Sequence, residues 1–189
     1  SQIRKITPDG EVTTIAGFLR EGVRDGDQAT ASFLHLENIT IDNKGNMYVT
    51  DYASAGKDKG RGNGGNSGEY FIRRISAQGE VTTLKNGANG ELRLLYPRGL
   101  ACDKDGNLYV CASISHCIKK ITQDGIISSI AGQCDTKKCN SVYKEGNINT
   151  AVLTDPTGIA IAGNGDIYIS DSRLHRIIKI SNNKVTTIA

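Results

Sequence analysis

The pentapeptide Gly45-Asn46-Met47-Tyr48-Val49 returns as Gly106-Asn107-Leu108-Tyr109-Val110. It returns again as Gly165-Asp166-Ile167-Tyr168-Ile169, at intervals of 61 and 59 residues. A fixed period of this length constrains the fold more than any other feature, because each repeat must be one supersecondary unit packed on its neighbours. Three further elements keep step with it. An apolar one precedes each tyrosine element: Ile39-Thr40-Ile41, Leu100-Ala101-Cys102 and Ile159-Ala160-Ile161. A basic-apolar one follows: Ile72-Arg73-Arg74-Ile75, Ile118-Lys119-Lys120-Ile121 and Ile177-Ile178-Lys179-Ile180, with Ile3-Arg4-Lys5-Ile6 near the start of the chain. The last reads Val12-Thr13-Thr14-Ile15, Val81-Thr82-Thr83-Leu84, Ile127-Ser128-Ser129-Ile130 and Val185-Thr186-Thr187-Ile188.

Each unit is thus four short segments rich in β-branched residues and Tyr, alternating with period two and bounded by turn residues. Gly45, Gly106 and Gly165 suit the first hairpin of each unit, and Gly10, Gly79 and Gly125 the last. No segment holds a 3.6-residue apolar period, so no helix of consequence is predicted. The sequence therefore predicts an all-β chain of four-stranded antiparallel units in series, the blades of a β-propeller. The blades span 33–85, 94–131 and 153–189, and residues 1–16 supply the last two strands of another. The first blade carries an insertion at 53–69: Gly45 to Ile75 is 30 residues, against 15 in the other two units.

Composition narrows the partners. The net charge is only +3, and the charges are interleaved, so no basic stripe argues for nucleic acid. No apolar run approaches the roughly 18–20 residues of a membrane span, and no membrane contact is expected of this segment. Residues 1–5 lack the pattern of a signal peptide. Of the five cysteines, Cys134 and Cys139 bracket a short polar loop and could pair, as could Cys111 and Cys117 across a tight turn. A Cys134–Cys139 disulfide favours a secreted or cell-surface location. No Cys-x-x-Cys occurs, so zinc is not expected.

The motifs resemble NHL repeats. Pro156-Thr157-Gly158-Ile159-Ala160, then Asp171, then His175-Arg176-Ile177 follow that pattern, as does Pro97-Arg98-Gly99-Leu100-Ala101. Thr14-Ile15-Ala16-Gly17, Asp25-Gly26 and Ala31-Ser32-Phe33 resemble the joint between blades of many such proteins. The resemblance implies an NHL-type propeller, usually six-bladed, of which this chain is an incomplete arc of about three and a half blades. Further blades of the same chain, or a second polypeptide, are expected to complete the ring. Two copies head to tail cannot supply the inner strands missing from the first half-blade. Within the pattern, Leu36 and Asn38 replace Pro and Gly, and Asn38 is expected to keep a left-handed turn. Ala112 and Cys117 replace the Asp and Arg seen at Asp171 and Arg176. Their joint loss suggests an Asp–Arg pair across the hairpin, expected to be exposed and weak.

Function is read from loops. His35, Glu37, Tyr96, Arg98, Asp155 and Thr157 stand just before or at each innermost strand, where a propeller face binds partners. They differ between units, as a recognition surface does. The reading is a non-catalytic scaffold that binds a protein or glycan within a larger protein, without a cofactor. Lys57, Lys59 and Arg61 in the insertion could form a partner-binding finger or an RNA contact. The family also includes RNA-binding domains and lyases with a metal held by histidines. Here His116 and His175 occupy an ordinary hairpin position, and only His35 remains. Asp103-Lys104-Asp105-Gly106-Asn107 resembles the start of a calcium loop but lacks its Glu, and reads as a hairpin turn. Asn38-Ile39-Thr40 is a glycosylation sequon at the start of an inner strand.

Overall fold

In the computed structural model the described residues are 1–17, 21–53, 69–86, 90–91, 94, 96–132 and 142–189. They form strands and turns, with no helix among them. Strands β1 (Ile3–Ile6) and β2 (Val12–Ala16) pair as a two-stranded sheet. A four-stranded sheet follows in the order β3 (His35–Ile41), β4 (Met47–Ala53), β5 (Glu69–Ile75) and β6 (Val81–Thr83). A short pair, β7 (Lys85–Asn86) and β8 (Gly90–Glu91), lies in the next joint. The second four-stranded sheet is β9 (Pro97–Cys102), β10 (Leu108–Ala112), β11 (Cys117–Ile121) and β12 (Ile127–Gly132). The third runs β14 (Pro156–Ile161), β15 (Ile167–Asp171), β16 (Arg176–Ser181) and β17 (Lys184–Thr187), with β13 (Gly146–Asn147) added on its outer edge. Every pairing is antiparallel, and within each blade strands consecutive in sequence lie side by side.

The turns follow from residues that tolerate positive φ. Where the last hairpin has Gly79 and Gly125 in two blades, Asn182 and Asn183 adopt φ 49° and 58° in the third and close it one residue shorter. The first hairpins use one acid per blade. Asp42 accepts from the backbone N–H of Lys44 and Asn46, from Asn46 Nδ2 and from Tyr48 Oη. Asp103 repeats this with Asp105, Asn107 and Tyr109, so the calcium-like sequence spends its first carboxylate capping a turn. In the third blade the first position is Ala162, the acid moves to Asp166, and Lys179 meets it at 2.7 Å.

Among the described residues the core forms three clusters, each between neighbouring sheets. Alternation within a strand divides its residues between two interfaces. On β4, Val49 packs with Ile3, Ala16, Phe33, Ile75 and Val81 toward the β1–β2 sheet. Its neighbour Tyr48 packs with Ile72, Leu100, Leu108, Val110 and Ile121 toward the second blade. Cys111, Ile118 and Ala131 then face Ala151, Leu153, Ile167, Ile169, Ile178 and Val185 of the third. The inner strands β3, β9 and β14 stand side by side, which brings their starts onto one face. Gly99 makes this approach possible: a Cβ there would meet the carbonyl oxygen of Thr157 at 2.5 Å.

Two expectations are corrected. Asn38 does not adopt a left-handed conformation. It lies in a register shift of β3 between Leu36 and Ile39, with its N–H donating to Thr50 Oγ1. The third blade repeats the device, Gly158 N–H donating to Ser170 Oγ, so this position needs close approach rather than positive φ. The Asp–Arg pair is also differently built. Asp171 and Arg176 are cross-strand partners, yet no ion pair joins them, and Arg176 lies 3.6 Å over the Tyr143 ring. In the first blade Asp51 pairs instead with Arg73, two residues along the strand, at 3.1 Å and wholly buried. Arg73 occupies the position of Ile178, and a second carboxylate, Asp25 of the joint, meets it at 2.9 Å. The pairing periodicity of β5 is unchanged. A guanidinium simply stands where the third blade has a methyl-bearing core side chain.

Candidate functional site

The three inner strands gather the six candidate rim residues from equivalent positions. His35, Tyr96 and Asp155 are equivalent, each preceding the residue opposite the end of the second strand: Leu36 opposite Asp51, Pro97 opposite Ala112 and Pro156 opposite Asp171. Glu37, Arg98 and Thr157 follow those residues. His35 and Glu37 are exposed, and the other four are half-buried.

The aromatic side chains form a row. His35 lies 6.2 Å from Tyr52, which stacks on its cross-strand partner Tyr70 at 4.8 Å. Tyr70 meets Tyr96 of the next blade edge-on at 5.1 Å, and the Arg98 guanidinium lies 4.7 Å over the Tyr96 ring. Sequence reasoning missed Tyr52 and Tyr70. Their signal was position: they flank the inserted hairpin on the face that carries the rim. Tyr70 Oη is shut away from solvent without a hydrogen-bond partner. Burial, with the Tyr52 and Tyr96 hydroxyls and Glu37 nearby, pushes its pKa up to about 12. The Tyr96 hydroxyl and the charges of Asp155 and Glu37 raise that of Arg98.

The rim is tied down from below. Asp51 Oδ1 accepts the N–H groups of Leu34 and His35, and Asp171 Oδ1 accepts that of Asp155. Thr157 Oγ1 donates to the carbonyl of Ser170, and Ser172 Oγ donates to Asp155 Oδ2. His116 and His175 sit in the second hairpins at φ 52°, as their repeat position implies. His116 Nδ1 contacts the carbonyl of Thr154, joining second and third blades rather than facing the axis.

The opposite face carries two shallow grooves between blades, of about 180 and 230 Å³. They are lined in part by first-hairpin turn residues, of which Asp42 and Asp103 are already bonded within their turns. Lys57, Lys59 and Arg61 lie outside the described residues. So does the expected Cys134–Cys139 bridge. Cys117 is disulfide-bonded while Cys102 and Cys111 are free thiols, so its partner lies outside them too.

A β-propeller is the class that this geometry defines, and comparison with known proteins agrees. The NHL repeat model matches residues 153–180. Two solved propellers share the fold at low identity. One is a virginiamycin B lyase from Staphylococcus aureus, with TM-score 0.57 and 17% identity, over 99% of this chain and 48% of that one. The other is a luciferin-regenerating enzyme, with TM-score 0.60 and 18% identity, over 99% and 55%. The chain is an arc of an NHL-type β-propeller. Among curated proteins, SUPPRESSOR OF QUENCHING 1, chloroplastic, of Arabidopsis thaliana is 32% identical over 115 residues, 61% of this chain and 10% of that protein. Teneurin-3 of Mus musculus is 25% identical over 199 residues, 99% of this chain and 7% of that protein. The chain thus spans a tenth or less of these relatives, and about half of the two solved propellers.

Proposed function

We propose that this arc is part of a non-catalytic propeller that binds a protein or glycan at the rim formed by β3, β9 and β14. One observation carries the reading. Backbone positions that are equivalent in three blades, and held by repeated hydrogen bonds in the first and third, present His35, Tyr96 and Asp155, then Glu37, Arg98 and Thr157. A fixed scaffold with varied chemistry at its edge is how loops on rigid frames recognise partners. The disulfide at Cys117 supports placement in a secreted or cell-surface protein.

Completion of the ring by further blades, in the same chain or a second one, belongs to this proposal. Ile6 is 71% exposed, whereas its equivalents Ile75, Ile121 and Ile180 are at most 5% exposed. At the other end Ile177 is 37% exposed, against 1% or less at Ile72 and Ile118. Both outer faces therefore present apolar residues where every inner face buries them. The test replaces Glu37, Arg98 and Thr157 together by Ala in the full-length protein. Undiminished capture of its binding partner by the folded variant would sink the proposal.

A further inference from the structure

The second blade departs from its neighbours at one buried position, and the departure reshapes the rim. In the first and third blades a carboxylate, Asp51 or Asp171, ties down the backbone at the start of the inner strand. In the second blade that position is Ala112, which has nothing to offer. The bond from the Ser113 N–H to the Tyr96 carbonyl persists, as Ser172 to Asp155 does in the third blade. The Tyr96 backbone, however, turns to φ 54°, a left-handed conformation that a bulky side chain rarely takes. It lays the Tyr96 ring edge-on against Tyr70 and beneath Arg98.

The result is a half-buried guanidinium fixed over a ring, with no carboxylate within 4.0 Å of it among the described residues. A planar fork of N–H donors with no carboxylate in contact suits an incoming one. The rings favour a carboxylate over a neutral sugar. Tyr52 and Tyr70 each cover one face of the other, and Arg98 covers one face of Tyr96, so each of these rings has one face already taken from a pyranose. The flanking charges narrow the partner further. Glu37 on β3, Arg98 on β9 and Asp155 just before β14 read negative, positive, negative around the rim. That order repels a polyanion and complements a segment reading positive, negative, positive.

We propose that the second-blade rim binds an acidic side chain of a polypeptide partner, flanked by basic residues, with Arg98 as the anchor and Tyr96 as its platform. This rests on the rim-binding reading and specifies its ligand. The test titrates the full-length protein with a fluorescent peptide of alternating charge, Lys-Ala-Glu-Ala-Lys, its Gln-centred analogue and free glucuronate. The Glu peptide is expected to bind, and the Gln analogue about tenfold or more weakly. Arg98→Ala and Arg98→Lys should each weaken Glu-peptide binding by a similar factor, Lys keeping the charge but not the fork. Tyr96→Gly provides a variant whose fold is safe, since glycine accepts φ 54° freely. It should melt no lower than wild type by more than the lost ring contacts explain, yet bind like Arg98→Ala. No binding of the Glu peptide at millimolar concentration, or binding indifferent to Arg98, overturns the proposal. Arg98-dependent binding of glucuronate without the peptide also overturns it, while leaving the rim a glycan-binding site.

Discussion

Arg73 is the side chain whose removal should cost this fold most. It is wholly buried, paired with Asp51 at 3.1 Å and Asp25 at 2.9 Å. It also donates to the carbonyls of Ser32 at 3.1 Å and Arg24 at 2.8 Å, with Phe33 beneath it at 5.1 Å from guanidinium to ring centre. Three of these four polar contacts, to Arg24, Asp25 and Ser32, therefore tie the joint at residues 24–32 to the first blade through one cation. Replacing it by Met keeps most of the packing and strands the buried Asp51 without a counter-charge. Loss of one partner of a buried pair costs about 3–5 kcal/mol, more than the gain from a better-packed thioether can offset. For a chain of this size that is a drop in Tm of roughly 6–20 °C. Asp51→Ala together with Arg73→Met removes both charges and should cost clearly less than the sum of the two single changes. Thermal unfolding of the two single variants and the double variant at pH 7 reads this directly. Additive costs, or a Met substitution costing under about 1 kcal/mol, would refute the reasoning, because the pair would then act as an exposed one does.

Three further outcomes are expected. Gly99→Ala should destabilise by about 1–3 kcal/mol through its clash with the Thr157 carbonyl, read as a lowered urea midpoint; a neutral effect would mean that β9 and β14 are farther apart. Hydrogen bonds from Lys179, Ser181 and Asn164 lower the pKa of Asp166 to about 2, below its unfolded value of about 3.9. Its contribution is therefore complete above about pH 4 and lost as pH falls toward 2, so the Tm gap between wild type and Asp166→Asn should close over that window. Burial pushes the pKa of Cys111 up to about 12 and that of Cys102 up to about 11. Both should resist alkylation at pH 8 until the chain unfolds, and the unfolded, unreduced chain should show at most three thiols, five minus the two in a disulfide. Five thiols would remove the Cys117 bridge and with it the support for an oxidising compartment.

The repeat made the architecture legible. Tyrosine elements at a fixed interval, with one turn glycine each, specify strands, hairpins and their order without any tertiary information. What stayed hidden is whatever depends on which side chain fills an equivalent slot. Arg73 reads in the sequence only as one of a basic pair beside Arg74. Only the register against Val49 shows that it takes a core position. Asp51 and Asp171 read as half of a hairpin ion pair, because Ala112 and Cys117 replace both groups in the same blade. Their Oδ1 atoms bond instead to backbone at the start of the inner strand, a contact made across about 16 residues of chain. The six rim positions were legible from repeat phase alone. The row through Tyr52 and Tyr70 was not, because it forms between blades and depends on the backbone turn at Tyr96.

The account's central claim is that partners meet this propeller at the rim of β3, β9 and β14. Site-specific photo-crosslinking on the full-length protein tests it most directly, with the reactive residue placed at Thr157 on the rim or at Asn164 on the opposite face. The account predicts a discrete adduct from Thr157, lost when Arg98 is replaced by Ala, and none from Asn164. An adduct from Asn164 with none from Thr157 would contradict it.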